Sequence, residues 1–281
     1  MRPDARQTAA LTLLALVAFA ANSVLCRLAL KDGLIDAVSF MQIRLVSGAL
    51  TLAPFLIWKP SDEGLSKAFD GRMAAALFVY AIAFSLSYVS VNAGAGALIL
   101  FGAVQLTMLA IAFAQGERPG PGQLAGVALA FAGLIYLLVP GLSAPPLGGA
   151  TLMSAAGIAW GVYSSLGKTA TSPERSTAAN FLVASLAALA LFAVTRTPHL
   201  SLAGVCLAVA SGAIASGAGY VIWYRALRAL TAVRASVVQL AVPVIAAIGG
   251  LGVIGEPITA RLAIAGLVIL GGIFIVIRSK N

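Results

Sequence analysis

The feature that most constrains this sequence is a series of apolar runs of about 20 residues each, which recur from one end of the chain to the other. A hydrocarbon core about 30 Å thick requires a helix of about this length to cross it. The runs lie at roughly 8–30, 38–58, 73–91, 95–115, 121–139, 148–167, 177–195, 201–224, 232–254 and 260–278. The sequence therefore predicts an all-α integral membrane protein with ten transmembrane helices.

The composition excludes a water-soluble globular protein. Of the 281 residues, 60% are apolar and only 10% are charged, whereas soluble domains carry about 25% charged residues. The first apolar run is longer than the core of a cleaved signal peptide, which spans about 7–15 residues. We therefore interpret this run as an uncleaved first helix, and the connections between runs are too short to form a separate domain.

The basic residues indicate orientation in the membrane. The chain has 18 Lys and Arg against 9 Asp and Glu, a formal charge of +9. Most of the basic residues lie between apolar runs, so the positive-inside rule explains them and no nucleic-acid partner is expected. With the amino terminus inside, 13 lie on the inner side and four on the outer side, namely Arg27, Lys31, Arg196 and Arg261. The sequence predicts a multi-pass protein of the cell (inner) membrane with both termini in the cytoplasm.

Titratable and metal-ligating side chains are scarce within the apolar runs. Cys26 and Cys206 lie in separate runs and His199 is the only histidine, so we expect no metal, no cofactor and no disulfide framework. All nine acidic residues fall in loops or at the ends of runs. Carriers coupled to protons or sodium commonly place a carboxylate or histidine within the membrane. The sequence thus favours a facilitative carrier, with coupling through Glu117 or Glu256 as the alternative. The other interpretation of these two glutamates is a corner where the carboxylate favours the positive end of the following helix.

An internal repeat divides the chain into two halves. The segment GERP at 116–119 corresponds to GEP at 255–257 at an offset of 139 residues, and Gly133 corresponds to Gly272 at the same offset. We therefore predict two five-helix repeats, residues 1–142 and 143–281. Because five is odd, the second repeat enters the membrane inverted. This architecture is typical of secondary transporters, whose solute site lies between the halves near the bilayer midplane.

Several segments together carry a resemblance to a known family. These are MQIRL at 41–45, YVIWYRAL at 220–227, ASVVQLAVPV at 235–244 and GEP at 255–257. They resemble the drug/metabolite transporter superfamily, specifically its EamA-type ten-helix exporters with two inverted halves. Within that family, GALILFGAVQLTM at 96–108 is similar to the aromatic amino acid exporter subgroup. The chain departs from a strict two-fold pattern where Gln105 lies opposite Pro243, which suggests a separate task for Gln105.

Two amides, one in the fourth run and one in the first, mark a candidate solute site. Phe101, Gln105 and Met108 share one helix face, because they lie four and three residues apart. One amide amid apolar surface suits an amino acid with a large apolar side chain. Asn22 offers a second amide in the first run. Hydrogen bonding between helices is the alternative for both amides.

Aromatic pairs predict a surface on which a ring can stack. Trp160 and Tyr163 are i, i+3 neighbours that lie deeper than an interfacial belt requires. Tyr80 and Phe84 belong to a similar stripe in the third run, which continues to Tyr88. We expect these side chains to border a central site between the halves. The resemblance implies that its solute is phenylalanine, tyrosine or tryptophan.

Further positions have a structural and a functional interpretation. Arg44 is a basic residue within an apolar run, where it either anchors the helix by extending to the interface or contacts a substrate carboxylate. Pro243 and Gly212 are candidate hinge or gate positions, with a static kink and tight helix packing as the alternatives. Tyr220 and Trp223 lie beside Arg225, so we expect them to anchor the membrane interface.

The sequence therefore predicts a secondary transporter rather than an enzyme. The resemblance implies that it exports amino acids, above all aromatic ones, and related neutral metabolites by alternating access around a central cavity. The alternatives are export of threonine or homoserine, purines or cationic compounds with proton coupling, and more remotely an intramembrane enzyme or a structural protein. No catalytic motif supports an enzyme. The expected partners are a small-molecule solute and membrane lipids, and a monomer is expected to suffice.

Overall fold

The fold is all-helical in the part of the chain that the structure describes. This computed structural model describes residues 5–57, 69–116, 120–139, 141, 144–167, 172–194, 199–227, 229–230, 238–239 and 241–279. Apart from one antiparallel bridge between Ile35 and Leu200, these residues form no strand. The predicted all-α class is confirmed.

The helical stretches, labelled α1 to α10 in chain order, coincide with the predicted apolar runs to within a few residues. The first seven are α1 (Ala5–Lys31), α2 (Ala37–Ile57), α3 (Gly71–Tyr88), α4 (Ala93–Ala114), α5 (Pro121–Leu138), α6 (Leu147–Gly167) and α7 (Pro173–Val194). Next come α8 (Leu202–Val209, Ala210–Ala218 and Gly219–Leu227), α9 (Ala241–Gly249 and Gly250–Ile254) and α10 (Ala260–Arg278). The stretches Ala210–Ala218 and Gly250–Ile254 are π-helical. The predicted ninth run begins at 232, outside the described residues.

Six of the described helices are long and apolar enough to cross a membrane, namely α1 to α5 and α8. Helices α9 and α10 are apolar but shorter in their described parts. Helices α6 and α7 have 21 and 22 residues, and Thr177 and Asn180 of α7 are buried. Large apolar side chains such as Leu50 and Leu267 face outward, as expected where lipid rather than water surrounds the bundle.

The helices of the two halves interlock. Helix α1 packs on α8 and α9 of the second half, and α6 packs on α3 and α4 of the first half. The remaining large contacts between the halves pair α2 with α7, α4 with α9 and α5 with α10, while α2 also packs on α8 and α3 on α7. This pattern is unchanged when each helix is exchanged for the one five places along the chain.

Small residues allow α5 and α10 to touch. A Cβ on Gly133 would lie 2.7 Å from Ile269 Cγ1, and a Cβ on Gly272 would lie 2.6 Å from the backbone nitrogen of Ala130. The offset of 139 residues turns one of these contacts into the other. Close backbone approach at small residues is typical of helix pairs in membranes.

Candidate functional site

A cavity lies among helices from both halves. Its walls come from α1, α3, α4, α6 and α8 together with one residue before α9. The lining residues are Phe19, Asn22, Ser23, Tyr80, Phe84, Leu100, Phe101, Trp160, Ala215, Ser216, Tyr220 and Gln239. The cavity volume is about 30 Å³, which is room for one or two water molecules. A solute the size of phenylalanine fits only after the surrounding helices or side chains move apart.

Five of the eight predicted solute-site residues line this cavity. They are Asn22 on α1, Tyr80 and Phe84 on α3, Phe101 on α4 and Trp160 on α6. The fold therefore brings together residues from four separate helices. The cavity also contains lining residues that sequence reasoning did not select, chiefly those of α8.

The other three predicted residues, Gln105, Met108 and Tyr163, do not line the cavity. Gln105 is buried and Met108 is half-buried against the apolar core. Tyr163 is buried beside Trp160, and its hydroxyl lies 3.5 Å from Thr177 Oγ1. Helical spacing correctly relates residues on one face, but each further turn advances about 5.4 Å along the axis, and spacing does not reveal where a cavity ends.

Aromatic rings form one wall of the cavity around Trp160. Its ring is nearly parallel to the ring of Tyr220, with centroids 5.2 Å apart and an interplanar angle of 18°. It is also stacked with Tyr163 at 5.3 Å and tilted against Tyr80 at 4.9 Å. These separations lie in the range that favours aromatic pairs. The half-buried indole thus already occupies an aromatic stack and presents further ring surface to the cavity.

Tyr220 and Trp223 correct the expectation that they anchor the membrane interface. Tyr220 is 6% exposed and lines the cavity, while Trp223 is 8% exposed and packs edge-on against Phe19 at 5.8 Å. The preceding stretch Ala210–Ala218 is π-helical. A π-helix has more residues per turn than an α-helix, so the residues that follow are rotated relative to a regular helix and point inward.

A polar corner joins three helices at the cavity. Asn22 Nδ2 donates a hydrogen bond to Tyr80 Oη at 3.3 Å. Asn22 Oδ1 accepts one from Ser211 Oγ at 2.5 Å. Asn22 therefore makes hydrogen bonds between helices and also borders the cavity. Its position is compatible both with a structural role and with contact to a solute.

Arg44 lies beside this corner and is 1% exposed. Its Nη2 donates to Tyr80 Oη at 3.1 Å, and its Nε donates to Ser216 Oγ at 3.4 Å. Its Cζ lies 4.8 Å from the centroid of the Phe84 ring. Within the described residues no carboxylate pairs with Arg44, and its Nη1 has no hydrogen-bond partner. The guanidinium points into the bundle, which corrects the expectation that it extends to the interface.

The cavity lining offers binding groups rather than reactive ones. It contains aromatic rings, hydroxyls and amides, and no Asp, Glu, His or Cys is among the residues that line it. In the described part of the chain, no three His, Cys, Asp or Glu side chains are grouped so that they could hold a metal ion. Among the described residues, Arg44 brings a positive charge next to the cavity, through its contacts with Tyr80 and Ser216.

The two predicted hinge positions have different surroundings. A Cβ on Gly212 would overlap Ser47 Oγ and the carbonyl oxygen of Arg44. Glycine at this position therefore allows α8 to touch α2. Pro243 is buried within Ala241–Gly249 of α9. A hinge at either position stays a prediction.

A second buried polar group, the Arg27–Glu256 cluster, joins the halves at one end of the bundle. Arg27 Nε donates to Glu256 Oε1 at 2.7 Å. Its Nη1 donates to the carbonyl oxygens of Tyr88 at 3.0 Å and Val89 at 2.8 Å, where α3 ends. Glu256 Oε2 accepts a hydrogen bond from the backbone nitrogen of Ala93 at 2.7 Å, where α4 begins. The cation thus lies at the negative end of α3 and the carboxylate at the positive end of α4.

The structure corrects two expectations about this cluster. Arg27, which was counted with the charges on the outer side, is buried within α1. Glu256 caps α4 rather than the helix that follows it, because Thr259 caps α10 through a hydrogen bond from the backbone nitrogen of Leu262. Glu117, which corresponds to Glu256 in the repeat, lies outside the described residues. The sequence offered a basic residue near the end of the first run and the glutamate of the GEP segment, but no signal that links the two.

Loops at the same end of the bundle also contact each other. Asp36, between α1 and α2, accepts hydrogen bonds from the backbone nitrogen and hydroxyl of Ser39 at 2.9 and 2.5 Å and from the backbone nitrogen of His199 at 3.0 Å. Partial burial raises the pKa of Asp36, but these hydrogen bonds outweigh it, and the pKa lies below the ordinary value. The backbone nitrogen of Ser201 adds a hydrogen bond to the carbonyl oxygen of Leu34 at 2.9 Å.

The fold and the cavity together define a class of protein. Several helices are long and apolar enough to cross a bilayer, large apolar side chains face outward, and a cavity lies between helices of both halves. These features describe a multi-pass membrane protein that can hold a small solute. Residues 7–139 and again residues 147–278 match the EamA-like transporter family. The chain belongs to this family of membrane transporters.

The chain is also similar to individual proteins. The chain is 52% identical over 279 residues to an uncharacterized protein of Pseudomonas aeruginosa. The aligned region spans 99% of this chain and 96% of that protein. It is 28% identical over 207 residues to an uncharacterized transporter of Archaeoglobus fulgidus, covering 72% of this chain and 74% of that one. A crystal structure with a TM-score of 0.62 and 22% identity covers 95% of this chain and 97% of its own, which shows a shared fold.

Proposed function

We propose that this protein is a secondary transporter that exports aromatic amino acids and related neutral metabolites by alternating access. The observation that carries the proposal is a cavity, built by helices of both halves, with an aromatic wall around Trp160 and a polar corner at Asn22 and Tyr80. An aromatic amino acid needs ring surface for its side chain and hydrogen-bonding groups for its backbone charges. The cavity offers both on opposing helices.

We propose ten membrane-spanning helices arranged as two inverted repeats, residues 1–142 and 143–281. The two separate matches to one family at 7–139 and 147–278 support this arrangement. The exchange-symmetric helix packing supports it too, as do the exchanged contacts of Gly133 and Gly272. Two repeats that each contain an odd number of helices lie in opposite orientations in the membrane. In transporters with this architecture, one repeat or bundle rocks against the other around a fixed site.

We propose that both termini face the cytoplasm of an inner-membrane protein. The excess of basic residues on that side supports the orientation. The Arg27–Glu256 cluster and the contact between Asp36 and His199 then lie at the outer end, where they join elements of the two halves. In this conformation the outer end of the bundle is therefore held closed. A reporter fused after Asn281 tests the orientation, because a signal from outside the cytoplasm contradicts it.

We propose a facilitative mechanism, since no carboxylate is among the described residues that line the cavity. Counterflow of labelled phenylalanine in proteoliposomes should then persist when the pH gradient is collapsed. Complete dependence on that gradient contradicts the proposal. It would point to Glu256, a buried carboxylate that joins the two halves.

The site itself is tested by Trp160→Ala in the same vesicles. Loss of one aromatic contact, worth about 0.5–1.5 kcal/mol, should weaken transport of phenylalanine and tryptophan by about two- to tenfold and that of threonine less. Phe131→Ala, an exposed ring on α5, is the matched control and should change neither. Equal loss for all solutes, or none, contradicts the site. If wild-type protein moves no amino acid, the transport proposal itself fails.

Gln105 provides a second test of where the site extends. Gln105→Leu should impair all amino acids together if this amide reaches the solute during the transport cycle. Its buried position one turn beyond Phe101 makes a purely structural role the competing outcome. Wild-type rates for this variant, with normal protein yield, remove Gln105 from the site and leave the cavity around Trp160 unaffected.

A further inference from the structure

We propose that the cavity binds the carboxylate of its solute through the charge of Arg44. The solute class is then an aryl-substituted carboxylate, recognised with or without an ammonium group, whereas aryl amines without a carboxylate are rejected. This inference rests on the proposed transport function, because it names the chemical class that the same cavity accepts.

The first argument is the missing counter-ion of Arg44. A buried guanidinium is stable only when it is paired or fully hydrogen-bonded. Among the described residues, the ionisable groups that interact with Arg44 are the phenols of Tyr80 and Tyr220 and the thiol of Cys26, which ordinarily carry no charge at neutral pH. Nη1 has no hydrogen-bond partner among the described residues. A carboxylate bound in the adjacent cavity supplies the missing negative charge.

The second argument is the path from this charge to the cavity. Tyr80 and Ser216 both accept hydrogen bonds from Arg44, and both line the cavity. Tyr80 Oη also accepts a hydrogen bond from Asn22. A hydroxyl has two acceptor positions and one hydrogen to donate. With both positions used, the Tyr80 hydrogen is available for a carboxylate in the cavity, and the adjacent cation strengthens that bond.

The third argument is the contrast between the two ends of an amino acid. The rings of Trp160, Tyr220 and Phe84 supply surface for an aryl group beside the polar corner. None of the described lining residues is acidic, so an ammonium group finds no charged partner among them. A positive solute would moreover face the charge of Arg44 in a low-dielectric setting, where like charges repel strongly. The carboxylate is therefore the group on which selection acts.

Three probes of one shape separate these groups: 3-phenylpropionate, its neutral amide 3-phenylpropanamide, and 2-phenylethylamine. Each is titrated against the purified full-length protein in detergent, and affinity is taken from the rise in unfolding temperature with ligand concentration. We expect the acid to bind wild type about tenfold to a hundredfold more tightly than the amide, as for a charge-assisted hydrogen bond. The amine should bind more weakly still.

Variants locate the preference. In Arg44→Gln the acid and the amide should bind within about twofold of each other, while Arg72→Gln removes the same charge from an exposed position and should retain the wild-type ratio. Tyr80→Phe should weaken the acid more than the amide. Should Arg44→Gln fail to fold, the wild-type ratio and Tyr80→Phe still decide the matter.

Several outcomes overturn the inference. These are no binding of the acid, a wild-type ratio below about twofold, or a preference that survives Arg44→Gln. Transport of phenylalanine in vesicles is measured separately. If phenylalanine and 2-phenylethylamine are both carried equally, the transporter proposal stands and the carboxylate inference fails. If nothing is carried while the acid preference persists, the transport proposal fails instead.

Discussion

Two buried arginines on neighbouring helices have opposite surroundings. Arg27 on α1 bonds to a carboxylate and to two carbonyl oxygens at a helix end. Arg44 on α2 has hydroxyls and rings around it, no carboxylate among the described residues, and one nitrogen without a partner. The desolvation of Arg27 is thus compensated within the protein, whereas that of Arg44 is compensated only in part.

The difference teaches that burial alone does not assign a role to a charged residue. A charge whose partners are all within the fold stabilises one arrangement of helices. A charge that lacks a counter-ion beside a cavity destabilises the empty site and favours a ligand that carries the opposite charge. The following predictions test this contrast, from the largest expected effect to the smallest.

Arg27→Met should produce the largest loss of stability. It leaves Glu256 buried without its cation, and breaking a buried ion pair typically costs about 3–5 kcal/mol. Lys31→Met is the matched control, because Lys31 is exposed on the same helix. The unfolding temperature in detergent should fall sharply for the first variant only. Adding Glu256→Gln should recover part of the loss, and equal effects of the two single variants at Arg27 and Lys31 contradict a structural role for the pair.

Gly212→Ala should disturb the surroundings of Arg44 by displacing its backbone. The new methyl group would overlap the carbonyl oxygen of Arg44, and overpacking typically costs about 1–3 kcal/mol. Gly252→Ala is the control within the other π-helical stretch, where a Cβ meets no atom within 4 Å. It should be neutral or slightly stabilising, since alanine favours helix. Similar unfolding temperatures for the two variants would show that α2 and α8 adjust freely.

Arg44→Met should change stability by less than about 1 kcal/mol, in contrast to Arg27→Met. Removal of a buried charge that lacks a counter-ion relieves a desolvation penalty, which offsets the two lost hydrogen bonds. The unfolding temperature without ligand is the measurement. A fall as large as that of Arg27→Met contradicts the contrast and makes Arg44 a structural residue.

Asp36→Asn should have the smallest effect on the unfolding temperature, and only at a pH at which the carboxyl group of Asp36 is ionised. Because the pKa of Asp36 is lowered on folding, its carboxylate stabilises the folded state above the unfolded pKa of about 3.9 and this contribution is lost as pH falls through the folded pKa. The unfolding temperatures of wild type and variant should therefore differ near pH 7 and converge below about pH 4. A difference that is independent of pH contradicts a role for the charge in joining the loops at the closed end.

The sequence located much of the candidate site but not its limits. Periodicity selected Tyr80, Phe84 and Trp160, all of which line the cavity. It assigned Tyr220 to the membrane interface because of the neighbouring Arg225. The π-helical turns of α8 change the phase of that helix, and Tyr220 after them and Ser216 within them line the cavity. Regular 3.6-residue spacing holds only for an unbroken α-helix.

The apolar runs by themselves determined the all-helical class and the positions of the helices. In a bilayer the polar backbone groups of a spanning segment must be hydrogen-bonded within the protein, because no water is there to pair with them. A long apolar run therefore crosses the membrane as an α-helix. Only the tertiary structure decided which charges are paired. Arg27 meets Glu256 across 229 residues, and Arg44 meets Ser216 across 172. Such contacts depend on how helices of different halves pack, and local spacing along one helix carries no information about the distance to another.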